Sequence, residues 1–374
     1  ELHEYSDTLV FLDEIQHYPQ YLTLLKFFRQ DKRYRFIASG SLLGLTLKKT
    51  KSIPVGSVIR KRMYQLDFEE WLIANGYGEE ALRRLREAYD QKESLSKEQH
   101  EYVLSLFKRY LLVGGLPDVV NEYLKTHNIA KVREVQNAIM DLYKQDAVQY
   151  EEAAEKKLYI QRIYDMIPSQ MENKKKRVVV KDIQEKKGDR FDNYKEEFDY
   201  LVFAGVALAV HAISNPRYPL SESLQKNLLK LYLNDVGLLT SVLYGLSIKA
   251  VMETEKSVNL GAVYESAVAQ ELAAHGHKLF YYDNRSKGEV DYMIDDTEGC
   301  RVMPVEVKSG KDYTVHSALT NFVTNPDYKI EDAVVLSNER EVKREGKIWY
   351  LPVYFAMFMH AIEASEMDEE ELMF

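Results

Sequence analysis

A five-residue run, Thr8 to Leu12, ends directly in two acids, Asp13 and Glu14, and this block constrains the fold more than any other. A continuous apolar stretch has no alternation, so it predicts a parallel strand covered on both faces. Pro19 then opens a helical stretch to Arg29, with Tyr21, Leu24, Leu25 and Phe28 at helical spacing. Arg35 to Ala38 reads as a second strand, ending in Ser39-Gly40-Ser41, and Arg62 to Leu66 as a third; Phe68 to Ala74 is a short helix. Strands separated by helices predict a doubly wound α/β sheet, with a ligand site at the strand C-termini.

The rest of the 374 residues divides by pattern. Residues 1–78 read as a nucleotide-type α/β unit and 79–150 as a helical lid and connector, broken at Gly114-Gly115-Leu116-Pro117. Residues 151–250 read as helices followed by two alternating runs, Ala207 to Ile213 and Lys226 to Leu233, the order of a winged helix with its flap. From 251 to 374 the pattern is a helix (Ala262 to His275), strands at Leu279–Tyr282, Val290–Ile294 and Met303–Val307, further αβ elements, a C-terminal helix and an acidic tail.

Composition narrows the function classes. With 45% hydrophobic and 29% charged residues the chain is an ordinary globular protein, and its net charge of −9 argues against a wholly basic nucleic-acid-binding surface. Cys300 is the single cysteine, which excludes an internal disulfide or a cysteine-rich zinc site and fits a reducing cytoplasm. The longest apolar run, Tyr200 to Val210, falls short of the roughly 20 residues that span a bilayer.

Asp13 and Glu14 form the first candidate site. An aspartate at a strand C-terminus can hold magnesium, and a neighbouring glutamate can polarise a water. A solvated acidic turn is the competing reading. Three segments bear on the choice: Leu9 to Gln16, Phe36 to Ser41, and Tyr64-Gln65-Leu66-Asp67-Phe68-Glu69-Glu70-Trp71, with Gly114 to Asp118 and Lys230 to Leu238 in support. Together they resemble AAA-type ATPases whose C-terminal half is domain of unknown function 4143. The resemblance implies ATP and Mg2+ as cofactors, Asp13 as the metal ligand, Glu14 as the catalytic base, and Ser39 or Ser41 at the sensor position. Arg60 or Arg62 would contribute charge to a phosphate, unless they are ordinary surface residues flanking a strand.

The phosphate cradle G-x-x-x-x-G-K-[ST] is absent from the sequence. In the family it lies ahead of the Asp13 strand. The missing loop, the lack of an initiator Met and the abrupt start predict a chain without its first several dozen residues and inactive in ATP hydrolysis as it stands; natural loss of the nucleotide site is the alternative.

The second candidate site joins Gly288-Glu289-Val290-Asp291-Tyr292 to Pro304-Val305-Glu306-Val307-Lys308-Ser309-Gly310. Strand alternation sends Glu306 and Lys308 to one face, while Asp291 opens the neighbouring strand and Glu265 sits on the preceding helix. Such a set can bind magnesium, with Lys308 orienting a water. The pattern resembles the PD-(D/E)XK nuclease superfamily, which implies a restriction-endonuclease-like α/β domain with Asp291, Glu306 and Lys308 in the core positions. A solvated strand face is the bland reading, and the fold does not guarantee cleavage.

Between Lys156 and Arg190 eleven basic residues meet five acidic ones. On a winged helix, Lys174, Lys175, Lys176 and Arg177 would meet a DNA backbone; a solvated loop or a protein-binding module are the alternatives. His275-Gly276-His277 reads as a surface pair at a helix end. The expectation is an AAA-type ATPase coupled to a DNA- or partner-binding C-terminal half. A metal-dependent endonuclease gated by the ATPase and a non-catalytic nuclease-fold binding module are the alternatives.

Overall fold

The computed structural model describes residues 8–30, 34–40, 59, 61–149, 153–173, 176–184, 190–253, 260–284, 288–297, 299–310, 313–314 and 316–361. Ser41, Arg60, Lys174, Lys175 and the acidic tail lie outside them.

The N-terminal strands form as their composition demands. β1 (Leu9–Leu12) and β2 (Arg35–Ala38) pair in parallel with Leu12 opposite Ala38, joined through α1 (Pro19–Gln30). Ile15 is buried against Leu12, Leu25 and Ala38. Leu9, Phe11 and Ile37 are 50% or more exposed.

Residues 61–67 do not form the expected third strand. Their backbone and side chains find partners in the helical region instead: Leu66 N donates to Gly115 O at 2.9 Å, and the Gln65 amide donates to Asn234 O. A strand needs an edge to pair with, and here the nearest backbone is the Gly114-Gly115 turn. An alanine methyl at 115 would lie 1.9 Å from Leu66 O, so only glycine permits the approach.

Six helices follow: α2 (Phe68–Ala74), α3 (Glu79–Asp90), α4 (Lys97–Val113), α5 (Pro117–Thr126), α6 (Ile129–Gln149) and α7 (Ala154–Glu172). Capping boxes start two of them, Asp67 with Glu70 on α2 and Ser96 with Gln99 on α4. Gly114, at φ 76°, ends α4, and Pro117 begins α5.

After α8 (Lys195–Phe203), β3 (Ala207–Ile213) and β4 (Leu224–Leu233) form the predicted hairpin, but not a free-standing flap. β3 pairs in parallel with β5 (Phe280–Asn284), so the hairpin is the edge of a larger sheet. The base of the hairpin is buried on both faces, with Ala207 and Leu208 on opposite sides of β3 and Leu231 and Tyr232 on opposite sides of β4, and a projecting wing would leave one face in water.

α9 (Val236–Tyr244), α10 (Ile248–Met252) and α11 (Gly261–Ala274) precede β6 (Gly288–Asp296), β7 (Arg301–Lys308), α12 (Ser317–Thr324), β8 (Ala333–Ser337), β9 (Lys343–Glu345) and β10 (Ile348–Pro352). The sheet order is β4-β3-β5-β6-β7-β8-β10-β9. Alternation along its central strands divides the core: Val334 and Leu336 belong to one buried cluster and Val335 to the other. The larger cluster runs without a break from Phe68 and Trp71 through Tyr110, Leu201 and Tyr264 to Phe355, across the expected boundaries at 78, 150 and 250. Val353 to Phe358 is a buried 3-10 turn.

Candidate functional site

At the C-terminal ends of β1 and β2, the Ser39 hydroxyl donates to Asp13 Oδ1, while Ser39 N bonds Leu12 O at 2.9 Å and Ile15 N bonds Ser39 O at 3.0 Å. Parallel pairing thus brings the first acid and the polar end of the second strand together. Glu14 sits in the left-handed region at φ 50°, and the Gln16 amide donates to its carboxylate. A Cβ at residue 40 would fall 2.3 Å from Gln16 Oε1, so the Gln16 side chain would have to move to admit one. Asp13 and Glu14 are exposed. An exposed carboxylate beside a hydroxyl at strand ends has the donor chemistry of a magnesium site. Arg62 is engaged elsewhere, donating to Val202 O at 3.2 Å and lying over the Tyr64 ring.

The second constellation assembles on the large sheet. The β6–β7 register, continued one step past Tyr292 and Val305, sets Asp291 opposite Glu306, and Asp291 Oδ2 accepts from Val307 N at 2.9 Å. Lys308 Nζ lies 2.6 Å from Glu306 Oε1, as the alternation of β7 predicts. Glu265, on α11, is buried and takes an ion pair from Lys176. Lys230 of β4 is fully buried, pairs with Glu289 and lies 4.6 Å from the centre of the Tyr281 ring. Burial, then the charge of Asp291, raises both the Glu306 and Glu265 carboxyls. Burial would lower the Lys308 ammonium, but Glu306 and Asp291 hold it above its usual range. Glu265 Oε2 and Glu306 Oε2 are buried without a hydrogen-bond partner among the described residues. Two buried oxygens lacking donors fit a cation. The acids themselves do not close into one cluster of ligand-bearing atoms as the described residues stand; Lys176 and Lys308 bind two of them.

Lys176 and Arg177, read as DNA-facing, thus turn inward, onto Glu265 and, at 3.4 Å, onto Asp283. Lys230 carries no role in the sequence reading. Its signal was a lysine set in the apolar run Leu228-Leu229-Lys230-Leu231-Tyr232-Leu233.

A third constellation was dismissed in the sequence. His275 is not a surface residue: it is 6% exposed, and its Nε2 lies 3.2 Å from Asp67 Oδ2. Glu271, one turn earlier on α11, accepts from Phe68 N at 3.0 Å and from the Tyr110 hydroxyl at 2.9 Å, with Leu66 O an alternative acceptor 3.1 Å from that hydroxyl. Burial and Asp67 push the Glu271 carboxyl up to about 8. Burial would raise the Asp67 carboxyl, but the His275 hydrogen bond and the Glu70 amide hold it low. Burial would lower His275, but Asp67 and Glu271 raise it. One helix, α11, therefore carries Glu265 of the sheet constellation near its start and holds residues 67 and 68 at its end.

The described residues form an α/β chain with two parallel strands ending in Asp13 and Ser39 at its N-terminus and a separate acid-and-lysine centre near its C-terminus. Family models agree: one described as an AAA domain matches residues 1–72, and domain of unknown function 4143 matches residues 260–355. The chain thus combines an AAA domain with a domain of unknown function 4143. Residues 104–249 match domain of unknown function 8612, which includes the hairpin read as a wing. No curated protein and no solved structure matches the chain. Among the described residues, no helix is long and apolar enough to cross a membrane.

Proposed function

We propose that this chain acts in a magnesium-dependent, ATP-hydrolysing AAA-type protein that passes its nucleotide state to a DNA- or partner-binding C-terminal half. The observation that carries the reading is the Ser39 hydroxyl bonded to the Asp13 carboxylate across two parallel strands. Asp13 would hold the metal, and Mg2+, when bound, supplies positive charge against the phosphates. Glu14, its carboxylate held by Gln16, takes the proton of an attacking water, and Ser39 orients Asp13. The G-x-x-x-x-G-K-[ST] loop is absent from these residues, so the activity is proposed for a protein that supplies it. The exposed Leu9, Phe11 and Ile37 favour this reading, because parallel strands are ordinarily covered on both faces. Nucleotide state would travel through residues 61–67, bonded to Gly115 and Asn234 on one side and to α11 on the other.

The test is ATP turnover, with and without DNA, in a protein carrying that loop. Glu14→Gln lowers turnover about 100-fold or more if Glu14 is the base. Undiminished turnover refutes the assignment.

A specific observation favours a second reading, a metal-dependent nuclease-like centre. The order α11, β5, β6, β7, α12, β8, with β5 to β7 antiparallel and β8 parallel to β7, accompanies the orphaned oxygens of Glu265 and Glu306. Glu265, Asp291 and Glu306 would hold the metal, and Lys308 would orient a water. Plasmid cleavage with Mg2+ or Mn2+ is compared in the parent and Glu306→Ala. Equal cleavage in both sinks the catalytic role, and none in either favours a nuclease-fold binding module.

A further inference from the structure

The Asp67, Glu271 and His275 constellation is outside both sites above, and no chemistry has been assigned to it. One ligand atom from each residue lies within 4.8 Å of the other two, the sole such group among the described residues. Glu271 and His275 are four apart on α11 and share a face; Asp67 reaches them from the start of α2. Hydrogen bonding does not exhaust these donors. A carboxylate offers about four lone-pair positions, and Glu271 fills only part of its set with Phe68 N and the Tyr110 hydroxyl. His275 Nδ1 is buried and has no hydrogen-bond partner among the described residues, while the neighbouring Met359 carbonyl accepts from His277 Nε2 at 3.0 Å. Nε2 lies 3.2 Å from Asp67 Oδ2, so the two are bridged either by a proton on Nε2 or by a cation in its place.

We propose that Asp67, Glu271 and His275 bind a divalent transition metal of the zinc class. Two carboxylates and an imidazole suit such an ion, and three protein ligands leave a position for water. The exposed His360, whose ring stacks 4.0 Å from that of His275, stands at the solvent side. Asp67 lies within the residues matched to the AAA domain, and Glu271 and His275 within those matched to domain 4143. The ion would therefore fasten one to the other at the point where residues 61–67 enter the core.

Cobalt(II) titration of the 374-residue chain, read by its visible ligand-field absorption, tests the site, together with the thermal midpoint with and without Zn2+. Asp67→Asn keeps a side chain able to cap α2, and Glu271→Gln keeps an acceptor for Phe68 N, so both variants should fold. Loss of one saturable equivalent in both variants and its retention in Glu306→Gln are expected, with a Zn2+-dependent rise in midpoint in the parent and in Glu306→Gln but in neither Asp67→Asn nor Glu271→Gln. No saturable band in the parent, an undiminished band in Asp67→Asn, or loss in Glu306→Gln instead would each overturn the proposal. The first of these outcomes would identify the group as a proton-held latch.

Discussion

Asp235 offers a pH dependence whose size can be worked out beforehand. It is fully buried at the start of α9, its Oδ2 accepting from Gly115 N at 2.7 Å and its Oδ1 from Leu238 N at 3.1 Å. Burial raises its carboxyl from 3.8 to about 6 despite these donors. Because the folded protein holds the proton more tightly than the open chain, the stability linked to protonation is fully present below about pH 3.8. It is lost as pH rises through about 6. A shift of this size is about 3 kcal/mol in all, with roughly half falling between pH 5 and 7.5. Asp235→Asn removes the titration and leaves a pH-independent loss of about 1–2 kcal/mol, since an amide N–H replaces one acceptor. The lead of the parent over the variant, from urea unfolding at a series of pH values, should therefore narrow by about 1.5 kcal/mol from pH 5 to 7.5. A constant lead over that range would show that Asp235 is ionised throughout and that the backbone donors outweigh burial.

Two further outcomes follow from close contacts. Gly115→Ala puts a methyl 1.9 Å from Leu66 O, so the backbone must move; a loss of about 3 kcal/mol or more and faster proteolysis within 61–67 are expected, and unchanged proteolysis would remove this contact from the coupling path. Lys230→Met leaves Glu289 without its buried partner and should cost roughly 3 kcal/mol, the low end for a broken pair because Glu289 keeps some solvent. Adding Glu289→Gln should recover more than half of that loss, and a strictly additive double variant would show that the pair is not coupled.

Patterns that depend on neighbours along the chain were legible, and those that depend on a distant partner were not. The Leu9–Leu12 run names a parallel strand because its apolar side chains have no polar alternates, and β1 and β2 pair accordingly. The alternation of β7 places Glu306 with Lys308, and they meet at 2.6 Å. Arg62 to Leu66 has the composition of a strand too, but composition cannot name the edge it will join, and Gly115 takes it first. The hairpin at 207–233 was visible as two strands, whereas its parallel neighbour β5 arrives only at Phe280, so a wing and a sheet edge look alike from within the segment.

The sites divide in the same way, and the division bears on what the basic stretch does. Histidines two apart in sequence look too close for a metal, but that spacing says nothing of His275 with Asp67, 208 positions earlier. Lys176 belongs by composition to a run of exposed charge, yet it ends on Glu265, 89 positions later and itself buried. A lysine already paired with a buried carboxylate is a poor donor to a phosphate, because freeing it would leave that carboxylate charged and uncompensated. If the basic segment meets DNA, Lys176 must first be displaced from Glu265, and a cation entering beside Glu265 is the chemistry that would displace it.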